Sequence, residues 1–283
     1  MAQQTAVAPE EQLRVESELA RRLLDAGDAE RQQLYGEVYD RIMAMHLTRL
    51  GPTAVEQTCG ASPGLLGLLT RLTRPGEAVL EIGCGTGYLA IECARRGRRV
   101  TAVDVSGVNI ETARRHAAAL GARAPRFERV SGVQLPFADA SFNFAYSVEV
   151  LEHLHARDVP LHLREVFRVL RPGGRYWILT PNGLDDCSAA DRFGVHLHAG
   201  ESVADVHLKE WTYGELAIAL RRAGFRALRT PWRQQRGHVL PFLPVGAKVA
   251  AERLAAWFRN PRLRRLVSVA SGTVACSIVA QKP

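Results

Sequence analysis

Two carboxylates and a histidine lie within five positions of one another in the segment SVEVLEHLH, residues 147–155, which follows an apolar, strand-like pattern. If the segment is helical, Glu149, Glu152 and His153 have the spacing i, i+3 and i+4 and project from one face. Such a set offers three ligand atoms to one divalent ion. Two other interpretations stay open: a histidine acting as a metal-free general base, and the acidic first turn of an ordinary helix.

The elements that must position this segment alternate between short apolar strands and helical patterns from Glu77 onward. Strands are predicted at AVLEIG, RVTAVDVS, RFERVSG, FNFAYSVE and RYWILTP. Strands separated by helices are joined by right-handed crossovers and pair in parallel. The pattern therefore predicts a doubly wound, mostly parallel α/β sheet, with ligands bound at the carboxyl ends of its strands.

A glycine-rich turn, EIGCGTGY, follows the first predicted strand and places glycines at 83, 85 and 87 behind Glu81. Glycines at such a turn let a ligand approach the backbone closely. A nicotinamide fingerprint would need its third glycine where Tyr88 stands, so the spacing disfavours a dehydrogenase. Asp104 ends the next strand, where a carboxylate can accept hydrogen bonds from both hydroxyls of a ribose. The turn and the acid together predict a nucleoside-binding site.

These motifs, with LPFADASFNFAYSVEVLEHL and VLRPGGRYWILTPN, resemble the class I S-adenosylmethionine-dependent methyltransferases of the type 11/23 kind, over roughly residues 56–228. The resemblance implies a seven-stranded, Rossmann-like sheet with N-terminal capping helices and a helical insertion before the last strand. It also implies S-adenosyl-L-methionine as cofactor and methyl transfer as the activity. The implied cofactor-binding residues are Glu81, Gly83, Cys84, Gly85, Gly87, Asp104, Val105, Ser131, Gly132, Val133 and Ser147.

Within that resemblance, the glycine turn and Glu81 face the methionine part of the cofactor, and Asp104 holds the ribose. Residues 131–133 lie over the adenine, where Ser131 stands in the place of an aspartate that many members carry. Ser147 lies beside the transferable methyl group. The N/D-P-P-Y/F tetrapeptide of methylases that act on base amino groups is missing from the sequence.

A narrower resemblance concerns the E-x-x-E-H spacing, which with TPN and HLKEWT is similar to metal-dependent O-methyltransferases. These include 2′-O-methyltransferases of small-RNA 3′ ends and quinone-pathway enzymes. The likeness implies His207 as the further ligand, in preference to His196 or His198, and a carboxylate-rich set suits Mg²⁺ or Mn²⁺. The complete ligand set is then Glu149, Glu152, His153 and His207, and the candidate general bases are His153 and His207.

Composition narrows the class of protein further. The chain has 283 residues, 47% of them apolar, and five cysteines without a C-x-x-C pair, which argues against a zinc ribbon or a disulfide framework. No secretory signal or long apolar run is present, so a cytoplasmic protein is predicted. The net charge of +8 comes mainly from arginine, with its sharpest cluster in FRNPRLRRL, residues 258–266.

The sequence divides into an N-terminal helical cap (1–55), a cofactor-binding core (56–182), a polar substrate loop (183–210) and a C-terminal part that completes the sheet (211–283). The predicted function is methyl transfer to a hydroxyl of a small metabolite, lipid or sugar. The alternatives are an RNA 3′-terminal 2′-O-methyltransferase and an N- or C-methyltransferase of a small metabolite. A nucleic-acid partner is disfavoured because no RNA-binding module is recognisable. Membrane-surface contact through the amphipathic VGAKVAAERLAAWF stays open, and the oligomeric state is not predicted.

Overall fold

In the part of the chain that the structure describes, three helices precede the sheet. The computed structural model describes residues 9–58, 63–183, 207–231, 243–258, 260–273 and 275–283. Helix α1 spans Pro9–Asp25, α2 Asp28–Thr58 and α3 Pro63–Leu72. The long helix α2 continues three residues past the boundary at 55 that the sequence suggested for the N-terminal cap.

Seven strands form one sheet, in the order β3-β2-β1-β4-β5-β7-β6. The strands are β1 Ala78–Ile82, β2 Arg99–Asp104, β3 Arg126–Arg129, β4 Phe142–Val148, β5 Leu170–Pro181, β6 Arg226–Arg229 and β7 Ala275–Gln281. The first five pair in parallel, and β7 is antiparallel to both of its neighbours. The predicted doubly wound, mostly parallel sheet is confirmed. The strand order reverses between β1 and β4, and a binding crevice is expected at that point of such a sheet.

Helices cover both faces of the sheet. They are α4 Tyr88–Arg95, α5 Gly107–Ala117, α6 Val159–Val169 and α7 Tyr213–Arg222. The predicted insertion before the last strand consists of two further helices, α8 Val245–Trp257 and α9 Pro261–Ser271. No helix in the described part of the chain has the length and apolar character needed to cross a bilayer.

Strand alternation divides the core into two apolar layers. Leu80 and Ile82 of β1 contribute to the layer beneath α1, α2, α6 and α7, whereas Val79 contributes to the layer beneath α3, α4 and α5. Successive side chains of a strand point to opposite faces, so a strand buried on both faces is apolar throughout. The layers hold the carboxyl ends of β1, β2, β4 and β5 rigidly along one edge.

The helical conformation considered for residues 147–155 does not form. The segment after β4 is not part of a long α-helix: only a single 3-10 turn, Leu151–His153, forms before α6 begins at Val159. Glu149 has a left-handed backbone, with φ of 54°, and its N–H donates to Leu179 O of β5 at 2.8 Å. An α-helix cannot continue through that conformation. The helical spacing of Glu149, Glu152 and His153 is therefore not what brings side chains together here.

Candidate active site

In the glycine turn after β1, positions 83 and 87 are crowded by neighbouring side chains, whereas position 85 has free space around it. A Cβ at position 83 would lie 2.4 Å from Val150 Cγ2, and one at position 87 would lie 2.8 Å from Ala113 Cβ. A Cβ at Gly85 would meet no heavy atom within 4 Å. All three glycines have positive φ, which side chains rarely tolerate. The turn thus forms a bare backbone cradle in which a ligand can contact Gly85.

Asp104 fixes this cradle from the end of β2. Its Oδ2 accepts a hydrogen bond from Gly85 N at 2.9 Å, and its Oδ1 accepts one from Ser106 N at 2.9 Å. Burial raises the pKa of Asp104, and the two N–H donors oppose that shift. Each carboxylate oxygen has a second lone pair, so the same group can also accept from ribose hydroxyls.

Glu81 is buried under the glycine turn, next to Cys84 in the same segment. Burial raises the pKa of Glu81 to about 8. Its Oε2 is buried and accepts no hydrogen bond from the described residues. A buried carboxylate oxygen of this kind is costly unless a donor reaches it, so it marks a position for a hydrogen-bond donor or cation of a ligand. Cys84 is also buried, which raises the pKa of its thiol.

Helix α2 lies over the segment assigned to the adenine. Gln32 Oε1 accepts from Val133 N at 3.0 Å, and the Ser131 hydroxyl donates to Gln32 O at 3.3 Å. Gly132 has φ of 61°, and a Cβ there would overlap the Gln32 side chain. Residues 131–133 thus lie shortly after β3, with α2 as their cover.

Asp40 of α2, which no sequence motif singles out, joins the cap to the sheet edge that carries Asp104. Its Oδ1 accepts from the Ser106 hydroxyl at 2.7 Å and from Val108 N at 3.1 Å, at the start of α5. Its Oδ2 accepts from Arg129, whose Nε donates to Val105 O at 3.0 Å. The predicted cofactor residue Val105 is thereby held by a contact between the cap and the sheet.

Ser147 is at the end of β4 as predicted, but its hydroxyl is turned away from the glycine turn. It lies 2.7 Å from Tyr176 Oη, which is 3.1 Å from His162 Nε2. All three residues are buried. The backbone of Ser147 stays near the carboxyl end of β4, while its side chain belongs to a buried hydrogen-bonded chain under α6.

Three of the four predicted metal ligands converge. One ligand atom each from Glu152, His153 and His207 lies within 4.8 Å of the others. The rings of His153 and His207 meet edge to face, with centroids 5.1 Å apart. Glu149, whose backbone is left-handed and which precedes the 3-10 turn, does not belong to this group. His196 and His198 lie outside the described residues.

Backbone contacts explain why His207 arrives here from a distant part of the sequence. The amides of Leu208 and Lys209 both donate to the carbonyl oxygen of Glu152, at 2.8 and 3.1 Å. Trp211 Nε1 donates to Leu151 O at 3.3 Å, and His207 Nδ1 lies 3.2 Å from Glu210 Oε1. The 207–211 segment is therefore fixed on the 3-10 turn, with its histidine beside His153.

Glu152 is the buried member of the cluster. Its Oε2 accepts from the Thr180 hydroxyl at 2.9 Å, whereas its Oε1 has no hydrogen-bond donor among the described residues. A buried oxygen left in this way fits a cation, and two imidazoles beside it complete a set of three donor atoms. The set is richer in nitrogen than the predicted carboxylate-rich one. Imidazole nitrogens suit Fe²⁺ or Zn²⁺, whereas Mg²⁺ and Mn²⁺ prefer oxygen ligands.

The chain resembles known methyltransferases in sequence. Residues 79–174 match the model of a methyltransferase domain family. The chain is 36% identical over 160 residues to the O-methyltransferase resE of Aspergillus sclerotiorum, covering 54% of this chain and 56% of that protein. It is 32% identical over 181 residues to the ubiquinone biosynthesis O-methyltransferase of Xanthomonas euvesicatoria, covering 59% of this chain and 72% of that protein. The chain spans only about half to two thirds of the first curated relatives it matches, from 52% to 65%.

A solved structure extends the likeness to the whole fold. Haemonchus contortus phosphoethanolamine N-methyltransferase 2, in complex with S-adenosylhomocysteine, superposes with a TM-score of 0.59 at 19% identity. The alignment covers 88% of this chain and 60% of that one. S-adenosylmethionine fits the bare glycine cradle, Asp104 at the end of β2 and the Glu81 oxygen that has no hydrogen-bond donor among the described residues. The chain belongs to the class I S-adenosylmethionine-dependent methyltransferase family.

Proposed function

We propose that the chain methylates a hydroxyl oxygen of a small molecule, and that Glu152, His153 and His207 hold the divalent ion that assists the transfer. The observation that carries the proposal is the convergence of these three side chains after β4, the strand that in this family ends beside the methyl group. Oxygen as acceptor is supported by the relatives, since both curated proteins described above are O-methyltransferases by name.

Methyl transfer requires little of the protein beyond alignment of the acceptor, together with removal of the acceptor's proton. Bound S-adenosylmethionine supplies an electrophilic methyl group. The glycine turn and Asp104 fix where that group lies, and β4 directs the acceptor toward it. A hydroxyl is a poor nucleophile at neutral pH, so the residues beside it must favour loss of its proton.

The cluster after β4 can promote loss of the hydroxyl proton in one of two ways. A divalent ion on the three ligand atoms would lower the pKa of a hydroxyl bound to it and fix its direction. Without an ion, His153 is the candidate general base, because a neutral imidazole has a basic nitrogen. Tyr39 of α2 supports the first arrangement by packing edge to face on His153, with centroids 5.6 Å apart. That contact restricts the ring orientation, as a ligand requires.

The test combines ion binding with turnover. Calorimetry on metal-stripped protein, with Mn²⁺, Zn²⁺ and Mg²⁺ titrated separately, is expected to give one site per chain that E152Q or H207N removes. Glu149→Gln, the neighbouring acid outside the cluster, serves as the matched control and is expected to keep the site. Turnover of a hydroxylated metabolite panel is expected to stop with chelator and return with the ion.

The outcomes separate the mechanisms. Turnover unaffected by chelator, but abolished by H153N, would replace the ion with a general base and leave methyl transfer intact. Methylation restricted to amines would replace oxygen as the acceptor. Methylation of short RNA at its 3′-terminal ribose, in place of every small molecule, would favour the RNA alternative and would be accompanied by salt-dependent binding.

A further inference from the structure

The insertion before the last strand carries an exposed surface that cofactor binding and methyl transfer do not use. Helices α8 and α9 are joined by residues 258–260 and pack on each other. The hairpin tip is defined here as residues 253–258 and 260–266, the last turns of α8 and the first turns of α9. Four exposed large apolar side chains lie in it: Leu254, Trp257, Leu263 and Leu266.

Two of these side chains expose most of their surface. Trp257 is 78% exposed and Leu266 68%, and only three other large apolar residues in the described part of the chain are classed as exposed. Leu254 and Trp257 are three residues apart on α8, as are Leu263 and Leu266 on α9, so each pair shares a helix face. Clustered exposed apolar groups mark an interaction surface, whereas scattered ones need no explanation.

The charge around these apolar groups has one sign. Arg253, Arg262 and Arg265 are exposed on the same tip, and Arg264 is partly exposed. The sequence contains no aspartate or glutamate from position 253 to its last residue. A surface of arginines with tryptophan and leucine among them is complementary to an interface that is anionic outside and apolar beneath.

The inner side of the hairpin is firmly attached to the domain, so the exposure of the tip does not come from an unpacked insertion. The buried Lys248 ammonium donates to Ser271 O at 3.0 Å and to Gly272 O. Glu252 accepts from Tyr213 N at 2.6 Å and from Gly214 N at 3.1 Å, at the start of α7. The buried face fixes α8, and the opposite face is left to present Trp257.

We infer that the hairpin tip docks on the surface of an anionic lipid membrane, with Trp257 and the leucines inserted at the headgroup level. The arginines supply attraction to the headgroups, and the tryptophan is suited to the boundary between polar and apolar layers. Two copies of the chain facing each other through this tip would bring like charges together, which disfavours self-association. The inference does not depend on the acceptor or on the metal.

Vesicle co-sedimentation of the full chain tests this surface. Binding is expected with phosphatidylcholine vesicles that contain a minority of phosphatidylglycerol, to weaken as salt rises, and to be small with phosphatidylcholine alone. R262Q/R265Q is expected to weaken partitioning about 30-fold, since each arginine near an anionic surface contributes about 1 kcal/mol. W257S/L266S is expected to weaken it at least as strongly and to remove a blue shift of tryptophan fluorescence.

Matched controls carry the same chemical changes elsewhere. Arg21→Gln with Arg123→Gln removes two exposed charges from other elements, and Ile218→Ser removes an apolar side chain that is 52% exposed on α7. Both are expected to bind vesicles like the parent, and all variants are expected to unfold at the parent's temperature. The inference is overturned if neutral vesicles are bound equally well, or if the control variants lose as much binding as the tip variants. It is also overturned if the tip variants bind vesicles like the parent but lose binding to short RNA or lose self-association.

Discussion

The Thr180 hydroxyl donates a hydrogen bond to Oε2 of Glu152 across 2.9 Å, which joins the end of β5 to the 3-10 turn after β4. Both side chains are fully buried. The contact occupies one carboxylate oxygen of Glu152 and restricts the rotamer of the side chain. The direction of the other oxygen, which has no donor among the described residues, is thereby fixed. Thr180 would thus orient Glu152 toward the divalent ion proposed above, without being a ligand itself.

Thr180→Val tests this positioning role. Valine has nearly the same shape but cannot donate, so Glu152 loses its orientation while the fold is retained. Loss of such a supporting hydrogen bond typically weakens metal binding 10- to 100-fold. Calorimetry with Mn²⁺ or Zn²⁺ measures the effect, and Thr70→Val on α3, which removes a hydroxyl bonded only within its own helix, is the control. Unchanged ion affinity in T180V would show that Thr180 does not orient the ligand.

Gly85→Ala separates cofactor contact from backbone strain. The new methyl group has space in the structure, since nothing lies within 4 Å of it, but it occupies the open side of the cradle. The affinity for S-adenosylmethionine is therefore expected to fall tenfold or more. The positive φ of 50° is expected to destabilise the fold by about 1 kcal/mol, the usual cost of a left-handed alanine.

Gly76→Ala is the matched control for that variant. Gly76 also has a positive φ, of 81°, and also has nothing within 4 Å of an added Cβ, but it precedes β1 and is remote from the cradle. It is expected to lose similar stability and to keep cofactor affinity. Calorimetric titration and chemical unfolding measure the two quantities separately. Equal losses of affinity in both variants would mean that strain, not contact, weakens binding at Gly85.

Local patterns were sufficient to predict the sheet, because strands and crossover helices are encoded by apolar periodicity within each segment. The glycine turn and Asp104 were predictable for the same reason. The segment around Glu149 was not, because its left-handed backbone depends on a hydrogen bond to Leu179 of the neighbouring strand. Asp40 also lay beyond local pattern, since it acts on residues 66 to 89 positions away.

The direction of Ser147 was within reach of the sequence. Side chains alternate along a strand, and the apolar layer under α6 includes Ala145 and not Tyr146. Ser147 shares a face with Ala145, so its hydroxyl points toward Tyr176 and His162. His162 is a polar residue on a helix, yet it is buried, because α6 presents this position to the sheet.

The buried chain under α6 predicts a pH dependence of stability. Burial lowers the pKa of His162 to about 4, well below its ordinary value of 6.5. As the pH falls from 6.5 toward 4, His162 binds a proton in the unfolded chain but stays neutral in the folded chain. The contribution of neutral His162 to the free energy of unfolding is therefore expected to be complete above pH 6.5 and to be lost as the pH falls through this window.

His162→Gln isolates that contribution, because glutamine can still hydrogen-bond to Tyr176 but does not titrate. Urea unfolding followed at several pH values between about 4 and 7 is expected to show a shallower loss of stability in the variant than in the parent. Parallel curves for the two proteins would exclude His162 as a source of the pH dependence.

Asp40→Asn tests whether the N-terminal cap helps to form the cofactor site. The carboxylate accepts from the Ser106 hydroxyl, from Val108 N and from Arg129, and an amide would turn a donor toward at least one of them. Weakening these contacts loosens α2 from the segment that carries Asp104. The affinity for S-adenosylmethionine is expected to fall roughly tenfold, equal to about 1.4 kcal/mol.

The matched control is Asp139→Asn, which weakens the ion pair between Asp139 and Arg168. The side chain of Asp139 is 78% exposed. An exposed pair of this kind contributes little, so both stability and cofactor affinity are expected to stay within about 0.5 kcal/mol of the parent. Limited proteolysis supplies the structural readout, since α2 released from the sheet edge is cut faster. If D40N were cut faster but bound the cofactor with the parent's affinity, the cap would be a packing element and the cradle would be complete without it.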